Sequence, residues 1–174
     1  MKSLFTLLIT SLLLINFSIA QDGSKAKEMF TEKELPSLTI QDIYGKKVNV
    51  SNYGKNEKMT VISFWATWCS PCKKELNNIS YLYDDWQDDY NMELVAISID
   101  DARNTSKVKA YVNGQGWDYD VLLDFNEDLK RLLSFQTVPF TVLVNEDGKI
   151  VYSHSGYVEG DEYVLEGMLK KFKK

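Results

Sequence analysis

Two cysteines are all that this 174-residue chain holds, and they stand three apart in the run Trp68-Cys69-Ser70-Pro71-Cys72. An apolar stretch, Val61-Ile62-Ser63-Phe64-Trp65-Ala66, leads into them, and a helical pattern begins at Pro71. A buried strand that delivers a C-x-x-C pair to the first turn of a helix is suited to redox chemistry. Unpaired N–H groups and a partial positive charge at a helix N-terminus favour thiolate over thiol. That takes a cysteine below its free pKa of about 8.5, and the thiolate is the species that attacks disulfides. Cys69, nearest the helix end and expected to be exposed, is the candidate nucleophile. Cys72, one turn later and more buried, is the candidate resolving thiol. Ser70 and Pro71 are expected to tune the potential through N–H donation and local helix geometry. A structural staple is the poorer reading, because disulfide stabilisation grows with loop length and this loop is minimal. A structural zinc site needs about four ligands, and beyond the two cysteines the chain adds one histidine, His154, far away in sequence. No metal is expected.

The elements that must position this pair can be read from periodicity. Leu38-Thr39-Ile40 and Lys47-Val48-Asn49-Val50, around Tyr44-Gly45, form a β-hairpin pattern. Met59 to Ala66 and Met92 to Ile99 are near-continuous apolar runs, as in strands buried on both faces. Between them Leu76, Ile79, Tyr83, Trp86 and Tyr90 recur at helical spacing, and Pro71 in the first turn costs little. A helix is expected from Thr105 to Gln115, a short strand from Tyr119 to Leu123, and a helix capped by Asn126 and running to Leu133. Phe140 to Val144 and Lys149 to Ser153, joined at Asn145-Glu146-Asp147-Gly148, form a closing hairpin. The last helix, about Asp161 to Phe172, is expected to bury Val164, Leu165, Met168, Leu169 and Phe172. Strands alternating with helices and ending in a hairpin predict an α/β domain, a central mixed sheet with helices on both faces.

The N-terminus reads as a targeting segment. Met1-Lys2 is followed by an apolar stretch from Leu4 to Ile15 and by Ser18-Ile19-Ala20, the small-x-small pattern of a cleavage site. Residues 1–20 are therefore expected to be a signal peptide, an uncleaved anchor being the alternative. Residues 21–34 read as a flexible segment, and 35–174 as one domain. Export bears on the chemistry, since disulfides persist outside the cytosol. The net charge of −5 supplies no general attraction to nucleic acid. The basic cluster Lys170, Lys171, Lys173 and Lys174 suits the C-terminal dipole of the last helix.

Phe64-Trp65-Ala66-Thr67-Trp68-Cys69-Ser70-Pro71-Cys72-Lys73-Lys74-Glu75, with Thr137-Val138-Pro139-Phe140-Thr141 and Val144-Asn145-Glu146-Asp147-Gly148-Lys149 further on, resembles the thioredoxin fold. More narrowly, it is similar to exported thiol–disulfide oxidoreductases of the ResA/TlpA type, over roughly Leu35 to the C-terminus. The strand and helix between Met92 and Leu123 match the insertion of that branch. The resemblance implies a cis Pro139 beside the cysteines, with Val138 and Pro139 contacting an extended substrate and Trp68 shielding the disulfide. Thioredoxins carry a buried Asp where this chain has Ser63, so another carboxylate must serve Cys72. Glu75, three residues after Cys72 and on the same helical side, matches the glutamate that ResA-type proteins place beneath the site. A solvated glutamate in the first helical turn is the plainer alternative.

By resemblance, then, the chain is an exported, periplasmic reductase of disulfides in exported proteins such as apocytochrome c. Its electrons would come from a membrane thiol transporter of the CcdA/DsbD type. No haem, nicotinamide or flavin motif is present, so the Cys69–Cys72 disulfide is expected to be the redox centre without a further cofactor. Three competitors remain. A disulfide oxidant or isomerase shares every residue named so far. A copper metallochaperone of thioredoxin fold would enlist His154, although such proteins generally space their cysteines by three residues. A peroxidase generally places a threonine before a single cysteine in a different loop, a part that Thr67 fills poorly.

Overall fold

The computed structural model describes residues 33–174; the expected signal peptide and nearly all of the expected flexible segment lie outside the described residues. The chain runs β1 (Lys33–Glu34), β2 (Thr39–Asp42), β3 (Lys47–Asn49), β4 (Met59–Trp65), α1 (Ser70–Tyr90), β5 (Met92–Ser98), α2 (Thr105–Gln115), β6 (Asp120–Leu123), α3 (Asp128–Leu133), β7 (Phe140–Val144), β8 (Lys149–Ser155) and α4 (Asp161–Phe172). All eight strands join one sheet in the order β1-β8-β7-β4-β5-β6-β2-β3. β4 is buried along its whole length. It pairs in parallel with β5 and antiparallel with β7, so the sheet is mixed, as expected.

Alternation along β4 divides the core in two. Trp65 faces one side, 5.6 Å between ring centroids from Tyr111 of α2 and 5.1 Å from Trp117. Phe64 faces the other, 4.7 Å from Phe135, just beyond α3. Helices therefore cover both faces. α1 packs on β4, β5 and α4, burying Leu76, Ile79, Tyr83 and Trp86, and each such side chain contributes about 1.5–3 kcal/mol. α1 ends at Asn91, whose left-handed backbone (φ 47°) stops the helix. Among the described residues no helix is long and apolar enough to cross a membrane.

Three expectations change. Lys33 and Glu34, placed in the flexible segment, pair with Ile150 and Lys149 as an edge strand of the sheet. α3 is not capped by Asn126. The Asp124 carboxylate reaches forward to accept the N–H groups of Asp128, Leu129 and Lys130 at 2.8, 3.0 and 3.2 Å, and the helix starts two residues later than Asn126. On α4, Leu165 and Leu169 are buried, with Met168 and Phe172 packed against the core. Val164, however, is 42% exposed, and Glu162 is buried instead. The inward stripe runs through positions 162, 165 and 169, about one residue of rotation away from Val164. In the turn joining β7 to β8, Gly148 (φ 77°) lies so close to Gly54 that a Cβ there would stand 2.5 Å from the Gly54 carbonyl oxygen.

Candidate active site

β4 ends at Trp65, and the following turn carries Thr67 and Trp68 to the start of α1. Asp100, just beyond the parallel end of β5, fastens that turn. Its Oδ2 accepts the Thr67 N–H at 2.8 Å and the Ser98 hydroxyl at 2.8 Å, and its Oδ1 accepts the Thr67 hydroxyl at 2.6 Å. Asp100 is 3% exposed. Sequence reasoning passed over it. The signal that was available is its place outside the carboxyl ends of adjacent parallel strands, where α/β folds build their sites.

Cys69 is the N-cap of α1, and its Sγ accepts the N–H of Cys72 at 3.3 Å. Pro71 sits in the first turn. A disulfide joins Cys69 to Cys72 across 5.4 Å between Cα atoms. Cys72 has no exposed surface, and Cys69 is only 4% exposed, which corrects the expectation of an exposed Cys69. Its sulfur turns back over the first helical turn, toward Cys72 and its amide. Trp68 is 69% exposed and Ser70 and Pro71 are exposed as well, while Trp65 lies in the core. The Val138–Pro139 peptide bond is cis. Phe140 pairs with Phe64, so Pro139 stands at the end of β4 from which the C-x-x-C run emerges. Pro139 is buried and Val138 half-buried.

Glu75 is not the solvated residue of the plainer reading; it is 4% exposed. Its Oε2 accepts the Ser63 hydroxyl at 3.0 Å and its Oε1 accepts the Thr141 hydroxyl at 2.7 Å. Ser63 and Thr141 are direct partners on β4 and β7, so their side chains share the face that α1 covers. Burial pushes the Glu75 carboxyl up to about 7, against the pull of the two hydroxyls, and the charges of Asp161 and Glu162 raise it further. A buried carboxyl poised there can take or return a proton at neutral pH. Thr141 was missed as a partner of Glu75 because only strand register brings residues so distant in sequence together.

His154 lies within β8, its side chain is 15% exposed, and Nε2 lies 3.3 Å from Asp161 Oδ2. Among the described residues no group of three or more His, Cys, Asp or Glu side chains is arranged to hold a metal ion.

A disulfide-bonded C-x-x-C pair thus stands at a helix start, with a cis proline at the same end of the sheet and a buried glutamate one turn along α1. Residues 31–153 match the AhpC/TSA family. The chain belongs to that family. Within the AhpC/TSA family its relatives are thiol–disulfide oxidoreductases. It is 30% identical over 158 residues to the thiol-disulfide oxidoreductase ResA of Bacillus thuringiensis (strain Al Hakam), covering 90% of this chain and 87% of that protein. It is 27% identical over 124 residues to the sporulation thiol-disulfide oxidoreductase A of Bacillus subtilis, covering 71% and 73%. The solution structure of an uncharacterized thioredoxin-like protein from Porphyromonas gingivalis superimposes with a TM-score of 0.72 at 42% identity, covering 80% of this chain and 91% of that one. This AhpC/TSA member thus has a thioredoxin-like fold of the ResA type and is a thiol–disulfide oxidoreductase.

Proposed function

We propose that this oxidoreductase is exported and works as a reductant of disulfides in exported proteins, apocytochrome c with an oxidised haem-attachment motif among them. In this reading the Cys69–Cys72 dithiol is the sole redox centre and is kept reduced by a membrane thiol transporter of the CcdA/DsbD type. The observation that carries the reading is the buried Glu75, three residues beyond Cys72 on α1 and held by Ser63 and Thr141. It supports two parts of the chemistry. As a base it takes the proton of Cys72, a buried thiol that otherwise resists ionising. As a buried carboxyl close to the pair it disfavours thiolate and so favours the disulfide form, the opposite of what makes a strong oxidant.

The Cys69 thiolate attacks the substrate disulfide, forming a mixed disulfide and releasing the first substrate sulfur as a thiolate, which takes a proton from water. Cys72, its proton passed to Glu75, attacks the Cys69 sulfur. The second substrate thiolate leaves, and the Cys69–Cys72 disulfide closes. Two electrons have moved from the enzyme dithiol to the substrate. Trp68 offers the exposed contact surface, and the backbone of Val138 beside Pro139 pairs with an extended substrate segment. The Pro139 carbonyl is already taken by the Gly156 N–H at 2.8 Å.

An oxidised peptide carrying a Cys-x-x-Cys-His motif tests this reading. The reduced protein is expected to reduce it, Cys69→Ser to be inactive, and Cys72→Ser to accumulate a mixed disulfide. The reading is contradicted if the disulfide form oxidises the peptide dithiol while the reduced form leaves the peptide disulfide intact.

A further inference from the structure

Glu75 can take the Cys72 proton only as a carboxylate, so a proton it already holds has to leave before Cys72 reacts, and neither of its hydrogen-bond partners leads out. Ser63 has no exposed surface and Thr141 is 3% exposed. The row they begin has a third member. Ser63 on β4 is the partner of Thr141 on β7, and Thr141 is the partner of His154 on β8. Direct partners on neighbouring strands project to the same face, here the face covered by α1 and α4. His154 and its partner Asp161 are 15% and 23% exposed at their side chains, so this end of the row touches solvent. Glu75, Thr141, His154, Asp161 and Glu162 line a common cavity with about 10 Å³ open to the centre of a water molecule. That is room for about one water, and the lining supplies the polar partners such a water needs.

We propose that His154, oriented by Asp161, is the exit through which the proton collected at Glu75 reaches solvent, by way of one water in this cavity. His154 acts through Glu75 and is a positioning and relay residue; it does not touch the sulfurs' chemistry. Nε2 stands 3.3 Å from Asp161 Oδ2, and a neutral imidazole keeps one ring nitrogen free to accept a proton. The protonated Glu75 gives its proton to the cavity water, the water passes one to the imidazole, and the imidazolium loses one to bulk water. Glu75 returns to carboxylate, and no electrons move in these steps. The groups that face the imidazole are Glu75 from α1, Thr141 from β7, Tyr152 from β8 (stacked at 6.4 Å between ring centroids), and Asp161 and Glu162 from α4. Glu162 is the rival exit, but it is 6% exposed. Its carboxylate is engaged by the Tyr157 hydroxyl at 2.8 Å, the Gly160 N–H at 3.0 Å and the Asn78 amide at 3.4 Å.

The proposal rests on Glu75 being the base for Cys72, so the test separates the two. Single-turnover reduction of a disulfide peptide by the reduced protein is followed across pH in dilute buffer, for the parent, Glu75→Gln, His154→Gln and Asp161→Asn. His154→Gln is expected to slow the second, Cys72-dependent phase about tenfold, a modest share of what one general acid–base group contributes. Free imidazole should restore that rate in His154→Gln but not in Glu75→Gln. Asp161→Asn, which keeps the ring but not its anchor, is expected to slow the phase less and to respond to imidazole in the same way. If Glu75→Gln leaves the phase unchanged, the base reading fails and the exit with it. If Glu75→Gln slows the phase while His154→Gln matches the parent at every pH, or slows it without imidazole rescue, the exit alone is overturned.

Discussion

Glu75 divides its two carboxylate oxygens between two hydroxyls, one from each strand beneath α1. A hydroxyl can donate or accept, so Ser63 and Thr141 can hold the carboxylate and then turn to hold the acid. Water-like adaptability is thereby built from side chains in a place where bulk water is excluded. The cost of burial falls on the charged form. The folded pKa of about 7 lies above the ordinary 4.5, so the folded state binds more protons than the unfolded state between these values. Stability linked to the neutral carboxyl is fully present below about 4.5 and is lost as pH rises through about 7. Glu75→Gln removes that dependence. Relative to the parent, the variant is expected to gain stability from pH 4.5 upward and to level off above pH 7. The plateau should be on the order of 3 kcal/mol. Urea denaturation of the disulfide form at a series of pH values checks this, and stability curves for the two proteins that run parallel across the range would contradict it.

At the scale of elements, the turn between β4 and α1 depends on Asp100. Asp100→Ala strands the Thr67 N–H and leaves the Thr67 and Ser98 hydroxyls without their shared acceptor. The expected loss is about 2–3 kcal/mol, seen as a lower urea midpoint, and Asp100→Asn should recover part of it. An unchanged midpoint in Asp100→Ala would mean that the turn holds itself. What could be read in the sequence follows the same division. β4, α1 and β5 were legible because continuous apolar runs and a 3.6-residue period are local signals. Glu75 was legible mainly through its match to the glutamate of ResA-type proteins, with its place one helical turn from Cys72 in support. Asp100, Thr141 and the Asp124 cap were not legible as site or cap residues. Each acts through contacts set by strand order, register or the path of a loop. Asp124 shows the limit well, since capping from four to six residues away leaves Asn126, the residue type a cap favours, in the wrong place. Lys33 and Glu34 look like polar linker because a two-residue edge strand carries no period of its own.

For the whole molecule, one sheet end gathers what disulfide exchange requires. The parallel strands β4 and β5 deliver the cysteines and the Asp100 clamp, β7 delivers Pro139, and β8 with α4 closes the pocket behind Glu75. The fold class and family were legible from Phe64 to Glu75 and the Pro139 segment. The arrangement behind Glu75 was not, because His154 is isolated in sequence and meets Thr141, Glu75 and Asp161 only through the β7–β8 pairing and the packing of α1 and α4. The direction of electron flow is a property of this whole assembly, since disulfide and dithiol are weighed against every charge around them. In the proposed reading, the buried carboxyl on α1 favours the disulfide form and hence a reducing potential. The most direct test is the equilibrium reduction potential of the Cys69–Cys72 couple, measured in glutathione buffers at neutral pH. A value near the thioredoxin level of about −270 mV is predicted, and a value near −120 mV, that of a strong oxidant, would contradict the account.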